Sequence, residues 1–198
     1  MSNPIAVETV DKILVVRFVR PEIRNPLSLD VIELLDSIIE QAINSSGVEK
    51  LVLTGTDGVF ASGADLREIA NINAETAKEF SRHGQRLMNK IAESAKCTVA
   101  AINGFCFGGG LDLALSCHQR IAASTATFCH PGAGLGIITG WSGTQRLPRL
   151  IGQADALRMF FTAEPVNAAE ALRIGLIDRI AEDPLAEVLA NKRADLSS

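Results

Sequence analysis

The 198-residue sequence lacks the signals of several protein classes. No apolar run is long enough to cross a bilayer, and the opening Met1-Ser2-Asn3-Pro4-Ile5-Ala6-Val7-Glu8 has no charged segment followed by an apolar core. Basic excess is missing too: 19 Lys and Arg against 23 Asp and Glu give a formal charge of −4, which argues against a general nucleic-acid binder. The cysteines Cys97, Cys106, Cys117 and Cys129 show no C-x-x-C spacing, so they read as small buried hydrophobes in a reducing compartment, with no metal site. No low-complexity segment or interdomain linker interrupts the chain. The expectation is one cytoplasmic domain with neither membrane nor nucleic acid as partner, and a 47% hydrophobic content is enough to give it a sizeable core.

The most informative segment runs from Ala100-Ala101-Ile102-Asn103-Gly104 through Phe107-Gly108-Gly109-Gly110 to Leu111-Asp112-Leu113-Ala114-Leu115. It reads as a buried strand, a glycine turn and a helix whose first turn carries Asp112. Glycines there let a ligand approach the backbone, and the helix start offers unpaired N–H groups and a positive dipole end. Taken alone, the same run fits a tight turn that merely permits close packing. A second loop, Phe60-Ala61-Ser62-Gly63-Ala64-Asp65-Leu66, follows the apolar strand Lys50-Leu51-Val52-Leu53-Thr54. If the two strands are parallel neighbours, both loops lie at one sheet edge, and one N–H from each could converge on one oxygen.

Five separated segments then match a known pattern in order and spacing: Arg24-Asn25-Pro26-Leu27-Ser28, Phe60 to Leu66, Asn103-Gly104 through Ala114, Gly143-Thr144-Gln145-Arg146-Leu147-Pro148-Arg149-Leu150-Ile151-Gly152, and Ala168 to Asp178. The chain resembles the crotonase, or enoyl-CoA hydratase/isomerase, family from its start to about Asp183. The resemblance implies an α/β fold, a spiral of repeated β-β-α units, and an enzyme that stabilises the enolate of an acyl-CoA thioester between the N–H groups of Ala64 and Gly109. Coenzyme A would arrive as part of the substrate, with no separate cofactor. Arg24, Pro26, Leu27, Ala61, Ala64, Asp65, Leu66 and Gly109 are the expected contacts to it. Residues 1–183 would form the acyl-CoA-binding core, and residues 184–198 a short tail where family members carry further helices around a trimer axis. A homo-oligomer, trimer or hexamer, is implied accordingly.

The chain departs from the family's catalytic pattern. Hydratases of the family use two glutamates. Asp112 stands at the first position, with a carboxylate one methylene shorter, and Gly132 stands at the second. Dienoyl isomerases of the family need acids where Gly132 and Gly140 stand, and the naphthoyl synthases need an aspartate where Thr139 stands. His130 is the nearby group able to replace the missing acid, since residues two apart on a strand share a face and an imidazole titrates near neutrality. It could equally pack or hydrogen-bond in the wall. Asp112 could satisfy its helix dipole, Asp65 could bond local backbone, and Trp141 could line the acyl pocket or anchor the loop in the core. The rival to an enzyme is a crotonase-fold binding or regulatory protein without turnover.

Periodicity and end signals predict strands at Ile5–Val10 and Ile13–Val19, a hairpin with no glycine at its turn, a helix capped by Ser28 running to about Ser45, and a helix from Ala74 to Ala95. Short strands follow at Gln119–Ala123 and Ala126–His130. The stretch from Gly132 to Gly140 is too glycine-rich for regular structure and is expected to wrap part of the pocket. Three helices, around Gly143–Leu150, Ala154–Phe161 and Asn167–Ile174, complete the core.

Overall fold

The structure, a computed structural model, describes residues 3–191. Strands β1 (Ile5–Val10) and β2 (Ile13–Phe18) form the expected antiparallel hairpin, with Val10 opposite Ile13. Its two-residue turn needs positive φ at both positions, and Asp11 (46°) and Lys12 (67°) supply it without glycine. Lys12 is held there from outside: its carbonyl accepts from Glu49 N at 2.8 Å and its ammonium meets Glu49 Oε1 at 2.6 Å. That tertiary anchor offsets the left-handed conformation, which costs about 1–2 kcal/mol in an L-residue.

Strand β3 (Pro26–Leu27) leads into helix α1 (Leu29–Asn44). Ser28 caps it, accepting from Val31 N at 3.4 Å, and Val31, Ile32, Leu35, Ile39 and Ala42 form the buried stripe. Strands β4 (Lys50–Thr54), β5 (Val59–Ala61) and β6 (Gly63–Ala64) follow, then helices α2 (Leu66–Ile69) and α3 (Ala77–Ala92). Helix α3 is shorter than its apolar periodicity predicts. At its start Asn73 Oδ1 accepts from Glu75 N (2.9 Å) and Thr76 N (3.0 Å), an Asx turn that competes with helix.

Strands β7 (Cys97–Ile102) and β8 (Phe105–Phe107) precede helix α4 (Gly109–Ser116). Strands β9 (Gln119–Ala123) and β10 (Thr127–Cys129) precede the single-turn helix α5 (Gly132–Leu135). The segment expected to lack regular structure thus contains one turn of helix. Ile137 N donates to Gly132 O and Gly136 N to Ala133 O, with Gly136 at φ 69°, a Schellman closure that a glycine-rich sequence makes without strain. Helices α6 (Gly143–Ile151) and α7 (Gln153–Thr162), strand β11 (Val166–Asn167), helix α8 (Ala168–Arg173), strand β12 (Arg179–Ala181) and helix α9 (Pro184–Ala190) complete the elements among the described residues.

Sheet order explains the architecture. One sheet runs β1-β2-β4-β7-β9-β12 and a second runs β11-β10-β8-β5. The pairs β4 then β5, β7 then β8, and β9 then β10 each place one strand in each sheet before a helix follows, which is the expected spiral of β-β-α units. The main core fills the space between the sheets and helices α1, α3, α4 and α6, while Ile13, Val15, Val52, Val99 and Ile121 form a smaller cluster on the opposite face of the larger sheet. Val188 of α9 covers that cluster. The expected tail at 184–198 therefore begins as a packed helix, and its residues 192–198 lie outside the described residues.

Candidate active site

The first glycine loop is fixed from below by the Arg24-Asn25-Pro26-Leu27 segment. Asn25 is buried; its amide nitrogen donates to Val59 O (3.0 Å) and Phe60 O (3.1 Å), and its Oδ1 accepts from Arg20 N (2.7 Å). Strand β3 then pairs in parallel with β6, Pro26 opposite Gly63 and Leu27 opposite Ala64. Asp65 caps α2 by accepting from Arg67 N at 2.9 Å, and Arg67 closes a two-pronged ion pair on the same carboxylate. This pairing, with the Arg67 side chain as first cause, holds the Asp65 carboxyl below the usual range. Asp65 thus shapes the loop, one of the two roles its position allowed.

The second loop meets the first at backbone distance. Gly63 sits at φ 89°, and a Cβ there would lie 2.3 Å from Gly109 N. A Cβ on Gly109 would lie 3.3 Å from Ala64 N and 2.6 Å from the Trp141 ring. The Ala64 and Gly109 amides are therefore neighbours, brought together by side-chain absence at 63 and 109. Trp141 is buried, tilted on Phe80 at 5.4 Å between centroids, and lines the cavity beside these amides while packing into the core.

A cavity of about 410 Å³ opens beside these amides. Ala64, Leu66, Gly109, Asp112 and His130 line it; Arg24, Pro26, Leu27, Ala61 and Asp65 do not. Leu27 and Ala61 are wholly buried supports, and the Arg24 guanidinium lies 5.2 Å from the Phe105 ring centroid. Sequence reasoning missed Phe160 and Phe161, which α7 contributes to the cavity wall from far along the chain. No local motif marks them.

Asp112 does not cap its own helix. Its side chain is fully buried, its Oδ2 accepts a short hydrogen bond from the Thr139 hydroxyl, and its Oδ1 has no hydrogen-bond partner. Burial pushes its pKa up to about 7, against the lowering pull of the Thr139 hydroxyl, the Arg146 charge and the Trp141 backbone N–H. His130 Nε2 lies 3.5 Å from Asp112 Oδ1. Burial pushes the His130 pKa down to about 4. The strand alternation expected to aim His130 is absent, because β10 ends at Cys129 and Pro131 begins the turn into α5. His130 reaches the cavity from the single residue that links β10 to the Pro131 cap of α5.

These two shifts oppose each other in the pH dependence of stability. Asp112 binds a proton in the folded state that it has lost in the unfolded chain between about pH 4 and 7, so its contribution falls as pH rises through that window. His130 is neutral when folded and protonated when unfolded between about pH 4 and 6.5, so its contribution rises there. Replacing His130 with Gln leaves the falling limb uncompensated. Relative to the parent, its unfolding free energy should drop with increasing pH at up to about 1.4 kcal/mol per unit. Urea titrations from pH 4.5 to 6.5 measure the difference, and parallel curves would refute the assignment.

Gly132 is held by packing as well as by chemistry. A Cβ there would lie 2.4 Å from Ile137 O, inside the closed turn of α5. Placing a glutamate at 132 should therefore open that turn and lower the melting temperature by several degrees rather than simply restore an acid, with a cost of about 1–3 kcal/mol typical of overpacking. A Gly132→Glu variant that melts with the parent would contradict this.

Comparison with known proteins agrees with the geometry. The enoyl-CoA hydratase/isomerase family pattern matches residues 8–197. A crotonyl-CoA hydratase of Syntrophomonas wolfei is 41% identical over 179 residues, 90% of this chain and 69% of that protein. A short-chain-enoyl-CoA hydratase of Clostridium acetobutylicum is 38% identical over 195 residues, 96% of this chain and 75% of the relative. Among solved structures, an enoyl-CoA hydratase from Bacillus anthracis superposes with a TM-score of 0.87 at 33% identity, covering 96% of this chain and 73% of the other. With two strands per turn of the spiral, two glycine loops meeting at one cavity, and relatives this similar, the chain belongs to the enoyl-CoA hydratase/isomerase family and is an enzyme of that type.

Proposed function

We propose that the cavity takes an acyl-CoA thioester, that the thioester oxygen sits between the N–H groups of Ala64 and Gly109, and that Asp112 moves a proton at the α-carbon. The observation that carries this reading is the approach of the two loops: a Cβ on Gly63 would lie 2.3 Å from Gly109 N. Two backbone donors aimed at one place stabilise the oxyanion that forms when an α-proton leaves or a nucleophile adds at the β-carbon. Asp112 follows Gly109 by three residues, one helical turn, so the acid and the donor share a side of α4. An acid whose pKa is raised to about 7 suits proton transfer at neutral pH.

Deuterium uptake at the α-carbon of butyryl-CoA in D2O, followed by mass spectrometry, tests the enolate directly. Crotonyl-CoA hydration tests it in the other direction. Exchange and hydration are both expected; a folded protein that binds butyryl-CoA and performs neither refutes the reading. A homo-oligomer, trimeric or hexameric, belongs to the same proposal, supported by the exposed Leu135 (50%), Ile138 (70%) and Phe161 (76%) at the cavity rim. Sedimentation equilibrium reports the subunit number, and a monomer at micromolar concentration would refute that part.

A further inference from the structure

Among the described residues lining the cavity, Asp112 and His130 are the only two with titratable side chains. Both are almost wholly buried, at 0% and 3% exposure, and the nearest atoms of the pair, Asp112 Oδ1 and His130 Nε2, each lack a hydrogen-bond partner. Their separation, 3.5 Å, is longer than a strong hydrogen bond and short enough for a proton to pass with a small side-chain rotation. Folded proteins seldom leave buried polar atoms unpaired, so two such atoms facing each other in a ligand cavity call for an explanation. Packing alone gives none. His130 lies tilted against Phe160 with ring centroids 5.0 Å apart, a contact that any planar ring would make, whereas a nitrogen 3.5 Å from an unpartnered carboxyl oxygen is specific to imidazole.

The second acid position is closed, because Gly132 has no side chain and Ile137 O occupies the place of a Cβ. A hydration nevertheless needs two proton transfers: water must lose a proton as its oxygen bonds to the β-carbon, and the α-carbon must gain one. We propose that His130 is the second proton-transferring group of this site, accepting the proton of the attacking water while Asp112 gives its own to the α-carbon, the pair then resetting by passing the proton from His130 to Asp112.

The step balances. The water O–H, the carbon–carbon π bond and the Asp112 O–H break; the β-carbon–oxygen, α-carbon–hydrogen and His130 N–H bonds form. The electron pair from the π bond passes through the thioester enolate to the α-carbon. Transfer from imidazolium to carboxylate restores the starting state, and no other reactant is needed. Burial disfavours the charged form of both groups, pushing Asp112 up and His130 down, so the returned proton is held on Asp112 rather than on His130. One shared proton would then do the work of two glutamates.

This assignment rests on the acyl-CoA reading above, and two assays on the same variants separate the two. Exchange at the α-carbon of butyryl-CoA requires Asp112 and the oxyanion donors; crotonyl-CoA hydration requires His130 as well. In His130→Gln, hydration should fall by about 100-fold or more and by a clearly larger factor than α-exchange, and in Asp112→Asn both should collapse. Exchange itself reports that the variant site is folded, and His130→Asn gives the same readout if glutamine does not fit. Hydration retained in His130→Gln, or exchange and hydration lost together in a folded variant that still binds butyryl-CoA, overturns the pairing alone. Absence of both reactions in the parent overturns the acyl-CoA reading beneath it.

Discussion

Asp112→Asn should lose about 10²–10⁴-fold in α-proton exchange and hydration while keeping acyl-CoA affinity, and it should be at least as stable as the parent at pH 7. The two effects have one cause. Asparagine retains an oxygen to accept from Thr139 and places an amide nitrogen where the unpartnered Oδ1 now faces His130 Nε2, so a new donor meets an orphaned acceptor. It also removes a carboxyl whose ionisation is disfavoured by burial. One added buried hydrogen bond contributes about 1 kcal/mol, or roughly 2–4 °C in melting temperature for a chain of this size. A carboxylate kept for structure would behave in the opposite way, losing stability on substitution and leaving the chemical step unchanged. Exchange rates beside a melting curve decide between them.

Gly109→Pro should cost about 100-fold or more in turnover, because proline removes one of the two N–H donors proposed for the thioester oxygen. Proline suits the first position of a helix, so α4 can accommodate its φ. Its Cβ, however, meets the Trp141 ring at 2.6 Å, and that disturbance would itself impair the site. Gly109→Ala introduces the same Cβ and keeps the N–H. The ratio of turnover between alanine and proline variants therefore isolates the donor, and a ratio near one in folded proteins would remove Gly109 from the oxyanion site.

The sequence exposed local features and concealed those made by distant chain segments. The β1–β2 hairpin, the Ser28 cap and the stripe of α1 follow from side-chain period and end chemistry, both of which are local. The two loops could be ordered by their glycines because close backbone approach excludes nearly every other residue. The partner of Asp112 was not visible: Thr139 reaches it from a segment whose glycines give no periodic signal, and Phe160 and Phe161 enter the wall from α7. Strand alternation predicts a place for His130 at the site, but β10 ends one residue before it, so its position comes from the link into α5 and not from the pleat. From sequence Gly132 reads only as a missing acid; the lack of room for a Cβ, which would lie 2.4 Å from Ile137 O, shows that the turn also depends on glycine there.

The spiral has a consequence for the time course of folding. Its parallel ladders join residues far apart in the chain: Ile13 pairs with Lys50, Lys50 with Cys97, and Val99 with Gln119. Each pairing closes a long loop before its contacts repay the lost entropy, so this topology folds slowly for its length. The Ala64 and Gly109 amides come from successive turns and meet only after β5 and β8 have aligned. Ligand affinity should consequently emerge late in refolding, after most helical signal has returned. A chain halted between turns would present the open edge of β4 or β7 to other chains, making aggregation the competing fate.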